Sequence, residues 1–270
     1  MTGQIDLSAA IANLPSLANT EPHKSRSDGY RVISTADVLR QMQNEGFEIM
    51  QACEAHVRLP DNRGFQKHLV RLRHPLAEQT ATGSPDVLLI NSHNGSTAFR
   101  LYTGWIEFAC SNGLIIGTIE TAHSVRHSGD VAGKVISAAY RVIDDAEKTK
   151  AEVSDMRATY LPSDAIESFE MRAHALRFGE SDRIPVTPEA MGYSRRAADA
   201  NNSLWSVYNR IQENVMRGGM RGRILASNGR MRRATVRPVN SIDKGVTLNT
   251  ALHGIAREML ATYGHARNAA

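Results

Sequence analysis

A chain of 270 residues with 41% hydrophobic and 22% charged side chains can bury one large core or two small ones, which excludes disorder throughout. No run approaches about eighteen consecutive apolar residues, and the N-terminus, Met1 to Leu17, has no basic residue ahead of its weak apolar stretch. Neither a membrane span nor a secretory leader is therefore expected, and the cytosol is the expected compartment. Two cysteines, Cys53 and Cys110, make no disulfide framework and cannot complete a four-cysteine zinc site, so no cofactor is expected from them.

Residues 1–33 mix Asn, Pro, Ser, Thr and charges without a sustained period and read as a flexible arm. Ser34 followed by Asp37 has the look of a helix start: the hydroxyl can accept from a first-turn NH, and the carboxylate suits the positive end of the helix dipole. A short helix to about Asn44, stopped by Gly46, follows. From Phe47 to Gly117 short apolar runs alternate with turn residues, among them Asn94-Gly95 and Asn112-Gly113, which tolerate the positive φ of tight hairpins. Strands are expected near 47–59, 65–73, 86–93, 97–109 and 114–119, forming an antiparallel meander. One face should be partly wet, because Gln66, Lys67, His68, Arg71 and Arg73 interleave with Leu69, Val70 and Leu72.

Beyond Gly129 the period becomes helical. Val131, Val135, Ala138, Ala139, Val142 and Ala146 form one stripe of a long helix running into the charged turns around Asp155. Further helices are expected from Ser163, as an N-cap, to Arg177, from about Asn202 to Arg217 with Gly218-Gly219 as the stop, and from about Val246 to Tyr263. The fold class is α+β: a β-meander with a long helix over residues 34–160, then a helical half over 161–270 carrying a basic segment.

That segment dominates the charge. The formal net charge is +4, yet Arg217, Arg221, Arg223, Arg230, Arg232, Arg233 and Arg237 occur with no acid between them, and without these seven the chain holds 25 bases against 28 acids. A local excess of guanidinium, whose planar fork binds phosphate bidentately, is what an anion-binding patch requires. Gly218, Gly219, Gly222 and Gly229 allow close backbone approach to an anion. Lacking an apolar period, the stretch is expected to stay mobile until a polyanion orders it, and nucleic acid supplies enough phosphates. Trp205 and Tyr208, just upstream on a helix, are candidates to stack on bases.

Other constellations are weaker. Ser92 and His93 are adjacent on a strand and so point to opposite faces, which disfavours a nucleophile and base. Gly129 to Lys134 is one residue short of a phosphate loop, with Val135 where Ser or Thr would hold magnesium. His93, His123, His127 and Cys110 form the candidate centre of a rival reading, a metal-dependent hydrolase or nuclease, if the fold brings them together.

Several separated motifs appear in order: Asn91-Ser-His-Asn-Gly-Ser, Cys110-Ser-Asn-Gly, Val125-Arg-His-Ser-Gly, Leu204-Trp-Ser-Val-Tyr-Asn-Arg-Ile-Gln-Glu-Asn-Val-Met-Arg-Gly-Gly, Arg232 to Asp243, and Leu248-Asn-Thr-Ala-Leu. In these the chain resembles the phage/plasmid-like proteins of the domain of unknown function 932, over most of residues 34–262. Asn94 stands where that family usually has Asp. The resemblance implies carriage on phages, plasmids or integrating elements and no transferable catalytic residue. Together these readings lead to the expectation of a DNA-binding protein acting without chemistry, a single-strand annealing or recombination accessory factor that favours single-stranded DNA and self-associates. The alternatives are the hydrolase above and a counter-defence factor that binds an acidic protein.

Overall fold

The computed structural model describes residues 4–26, 32–57, 59–76, 83–97, 99–107, 119–125, 131–144, 146–179 and 184–264. They divide into two compact units, one holding the described residues up to Thr149 and the other those from Lys150 onward.

The first unit is built on a five-stranded antiparallel sheet whose strands lie side by side in chain order: β1 (Glu48–Glu54), β2 (His68–Arg73), β3 (Gly83–Asn91), β4 (Phe99–Glu107) and β5 (Ile119–Val125). This is the expected meander. Its fifth strand runs on to Val125, past the expected end at 119, and residues 114–118 of the expected strand lie outside the described residues. Helix α3 (Thr35–Asn44) starts as its sequence predicts, with Ser34 Oγ accepting from the Asp37 amide at 3.3 Å. Helix α4 (Val131–Asp144) packs across β3, β4 and β5 and against α3, burying Val135, Ala138 and Ala139 against Val87, Leu89 and Leu101. The long helix expected to continue to about Asp155 is described as α4 and then α5 (Ala146–Ala158), with residue 145 outside the described set.

Residues expected to form a flexible arm contribute instead to this core. Two short helices, α1 (Leu7–Asn13) and α2 (Pro15–Ala18), place Leu7, Ala10 and Leu17 in the apolar cluster, and the Ile5 amide donates to the Ile49 carbonyl at 2.7 Å. Asp6 caps α1 by accepting from the Ala9 amide at 3.1 Å.

The face of β2 expected to be partly wet is also closed to solvent: all six residues of the strand are buried. Its charges are neutralised internally. Asp86 of β3 accepts from Arg73 Nε at 2.8 Å, from Arg73 Nη2 at 3.1 Å, from Arg71 Nε and from Ser84 Oγ at 2.8 Å. On the opposite side of β2, His68 meets Thr35 Oγ1 at 2.9 Å, and Asn91 Nδ2 donates to that same hydroxyl at 3.0 Å. Burial first, and then the neighbouring His93, push the His68 pKa down to about 3 against the opposing pull of the Gln66 carbonyl, so the ring is neutral.

The second unit is a helical assembly around α7 (Leu204–Arg217), which packs against both α6 (Ser163–Phe178) and α8 (Ile242–Tyr263). Every residue of α7 from Leu204 to Met216 is buried. Ser203 caps it by accepting from the Ser206 amide at 3.2 Å, and Gly218, at φ +61°, ends it. In α6, Pro162 rather than Ser163 holds the N-cap position, and Ser163 is the first helical residue. A central helix buried on all sides must satisfy its own polar groups. Asn209 donates to the Trp205 carbonyl at 2.9 Å, and Asn214 donates to the carbonyls of Met191 at 2.8 Å and Tyr193 at 2.7 Å. Gln212 donates to Asn249, which in turn donates to the Gly245 carbonyl at 2.8 Å.

Candidate nucleic-acid interface

The arginine-rich segment is not an irregular stretch. It forms a two-stranded antiparallel hairpin, β6 (Arg221–Leu225) and β7 (Met231–Thr235), paired from Arg221↔Thr235 to Leu225↔Met231. A tight turn closes it: the Ala226 amide donates to the Arg230 carbonyl at 2.9 Å and the Gly229 amide to the Ala226 carbonyl at 2.9 Å, with Gly229 at φ +75°. Asn228-Gly229 is the same turn signal that marks Asn94-Gly95, and it is open to the same reading.

A lone hairpin is marginal in water. This one is tied down at its base. Val236 and Val239 are buried, the Gly219 amide donates to the Val236 carbonyl at 2.8 Å, and the Val239 amide donates to the Met216 carbonyl at 2.8 Å. Arg177 Nη2 donates to the Arg237 carbonyl at 2.7 Å and Arg177 Nε to the Val215 carbonyl at 3.1 Å. Arg195 Nε donates to Asn214 Oδ1 at 2.7 Å, and its Nη2 bonds the Gly218 carbonyl. The Arg223 amide donates to the Pro185 carbonyl at 3.2 Å, and a Cβ on Gly222 would stand 1.5 Å from that oxygen. Gly222 is thus required for close approach to the 185 segment rather than to an anion.

Strand alternation sorts the side chains. Arg221, Arg223 and Leu225 of β6 share a face with Met231, Arg233 and Thr235 of β7, while Gly222, Ile224, Arg232 and Ala234 occupy the other. A shallow depression of about 630 Å³ is lined by Arg221, Arg223, Arg233 and Thr235 of the first face together with Gly222 and Ala234 of the other. Arg223 and Arg233 are direct cross-strand partners, a like-charge pairing that disfavours the hairpin unless an anion lies between them.

All seven arginines are exposed. Arg217, in the last turn of α7, is held by Glu213 at 3.0 Å. Among the described residues the other six, Arg221, Arg223, Arg230, Arg232, Arg233 and Arg237, meet no carboxylate within 4.0 Å. Four acids of this unit are engaged with other cations. Glu213 also lies 3.6 Å from Arg196, Asp199 lies 2.7 Å from Arg196, Glu258 is 2.6 Å from Arg172, and Glu152 is 3.4 Å from Arg257. Burial raises the Asp199 carboxyl against the lowering pull of Arg196. His253, 3.1 Å from Glu152, has its pKa pushed to about 4 by burial and then by Arg257, so this contact is a hydrogen bond from a neutral ring.

Trp205 and Tyr208, expected to stack on bases, are buried at 4% and 0% exposure. Their rings are committed to the core: Tyr208 stacks on Phe169 at 6.3 Å between centroids, Trp205 meets Tyr208 edge-on at 6.0 Å, and the Arg157 guanidinium lies 5.5 Å from the Trp205 ring centre. The helical face they share is the inner one, because α7 has no outer face.

The rival centre is not assembled by the described residues. His93 is fully buried, with its ring 5.5 Å from that of His68, and its amide donates to the Phe65 carbonyl at 3.2 Å. His123 sits on β5 opposite Leu101 of β4, while Cys110 and His127 lie outside the described residues. Among the described residues no three His, Cys, Asp or Glu side chains converge as a metal site would require. Ser92 is structural: its Oγ accepts from the Thr97 amide at 3.0 Å and from Ser96 Oγ at 3.1 Å, closing the turn around Asn94-Gly95. The phosphate-loop resemblance at Gly129 begins outside the described residues. Among the described residues no helix is long and apolar enough to cross a membrane.

Comparison with known proteins fits this order of motifs. The family model described as "Domain of unknown function (DUF932)" matches residues 22–253. Two proteins of Escherichia coli (strain K12), "UPF0380 protein YafZ" and "UPF0380 protein YfjQ", are each 36% identical to the chain over 247 residues, covering 92% of it and 88% of their own length. No solved structure matches the chain. The chain belongs to the DUF932 family.

Proposed function

We propose that the protein binds nucleic acid without chemistry, and that the β6–β7 hairpin is the contact surface. One observation carries the reading: six exposed arginines have no carboxylate of their own within 4.0 Å among the described residues, and two of them, Arg223 and Arg233, are direct cross-strand partners. A fold that leaves this charge unneutralised is completed by an external polyanion, whose phosphates take bidentate guanidinium contacts and release counterions. The contact surface is set by backbone pairing and by its anchored base, so little backbone ordering opposes binding.

Preference for single strands draws on Trp205 and Tyr208 as stacking residues and on the likeness to annealing proteins, and burial of the two rings removes the first of these supports. Of the two narrower roles, recombination accessory factor therefore fits better than annealing protein. Carriage on phages, plasmids or integrating elements and self-association belong to the same proposal, the first from the family resemblance and the second from analogy with meander-plus-helix annealing proteins.

Fluorescence-anisotropy titration of a labelled oligonucleotide at about 50 and 200 mM salt tests the reading. Three contacts from the shared face, up to six with the remaining arginines, predict that log affinity falls with log salt at a slope of about −3 to −5 on a duplex or about −2 to −4 on a single strand. Absence of binding at the lower salt, or binding indifferent to salt, contradicts it.

A further inference from the structure

The exposed hairpin face is not uniformly basic. From base to turn it presents Arg221 opposite Thr235, then Arg223 opposite Arg233, then Leu225 opposite Met231. Leu225 is 56% exposed and Met231 is 52% exposed. Single exposed apolar residues are ordinary, but here two large ones are direct partners at the turn end of an arginine face.

We propose that this hairpin enters the minor groove of duplex DNA, with Arg221, Arg223 and Arg233 on the flanking phosphates and the Leu225–Met231 pair wedged at a base step, kinking the duplex. The inference rests on the nucleic-acid reading above and narrows its substrate to bendable double-stranded DNA.

Three features of the face fit this occupant. Its charge is positive and carries no acid, which suits a groove walled by phosphates. Its apolar pair consists of residue types that wedge into base steps from the minor groove, whereas a single strand is met by aromatic platforms, and this hairpin face carries no aromatic residue. Its placement leaves the face turned away from the body at the base, where the opposite side of β6 holds Gly222 against the Pro185 carbonyl. The arginines lie nearer the anchored base and the apolar pair nearer the turn, so the pair meets a base step while the guanidinium groups reach the phosphates beside it. The apolar pair also supports the hairpin by cross-strand packing. A useful test must therefore remove its apolar character while keeping strand propensity, as Thr does.

The experiment uses the full chain and a duplex of about 30 base pairs carrying a donor and an acceptor dye at its ends, the length over which a kink is readily seen. Wild type, the double variant L225T/M231T and the triple variant R221A/R223A/R233A are compared by energy transfer and anisotropy, with circular dichroism confirming that each variant is folded. The expected result is a kink of roughly 20–90° with wild type. L225T/M231T should keep the wild-type salt slope while losing at least about half of the energy-transfer change and about tenfold in affinity, the scale on which a binding site registers the removal of a small apolar group. The arginine variant should lose both binding and bending. Duplex binding without bending, equal bending by L225T/M231T, or binding confined to single strands overturns the wedge and leaves the nucleic-acid reading standing. Equal affinity for poly-glutamate overturns the wedge in favour of an acidic protein partner. Failure of wild type to bind either form of DNA overturns both.

Discussion

Replacing Arg221, Arg223 and Arg233 together by alanine is expected to weaken nucleic-acid binding by about a hundredfold at 0.15 M salt and to make the salt slope shallower by about 2 to 3. The magnitude follows from counterion release: each phosphate contact contributes roughly fivefold at that salt, and the three side chains share one exposed face of the hairpin. Stability should hold or rise, because the substitution removes the like-charge pairing of Arg223 with Arg233 and breaks no ion pair among the described residues. Anisotropy titrations of wild type and variant at two salt concentrations, with a urea melt of each, make the measurement. Undiminished affinity, or a loss accompanied by unfolding, goes against the assignment. An Arg217→Ala control should matter less, since Glu213 already holds that guanidinium at 3.0 Å.

Tyr208→Ala is expected to destabilise the second unit by about 3–5 kcal/mol, the usual cost of emptying a buried aromatic site. Tyr208 is fully buried, stacks on Phe169 at 6.3 Å, and meets Trp205 at 6.0 Å and His253 at 6.2 Å edge-on. The cavity would open at the centre of α7, against both α6 and α8, where relaxation is limited. Urea denaturation followed by circular dichroism reads the loss. If Tyr208 were instead a platform for bases, the variant would keep its stability and lose single-strand affinity, and that outcome would restore the stacking role that burial argues against.

Local signals make a large part of the fold legible. Ser34 with Asp37, the Asn94-Gly95 turn, and Gly218 each act over three or four residues, and each does in the structure what its chemistry predicts. The meander order follows from turn spacing alone. Long-range neutralisation is not legible: nothing around Arg71 and Arg73 announces that Asp86 will bury them, so charges that look solvent-facing become interior. The N-terminal segment misleads because its apolar period, Leu7, Ala10, Ile11 and Leu14, is cut short by Pro15 and gains stability from packing rather than from its own length. Trp205 and Tyr208 mislead because a half-apolar helix ordinarily keeps one wet face, whereas α7 is enclosed on every side. In the basic segment the arginines mask a strand pattern that Asn228-Gly229 and the valines at 236 and 239 bracket.

The central claim is that the guanidinium face of the hairpin meets phosphate. Arginine-directed chemical modification, mapped by mass spectrometry with and without a saturating oligonucleotide, tests it most directly. Protection concentrated at Arg221, Arg223 and Arg233, with Arg172 on its Glu258 partner unchanged, is the predicted result. Equal reactivity of those three side chains in the bound and unbound protein, or protection confined to arginines outside the hairpin, would contradict it.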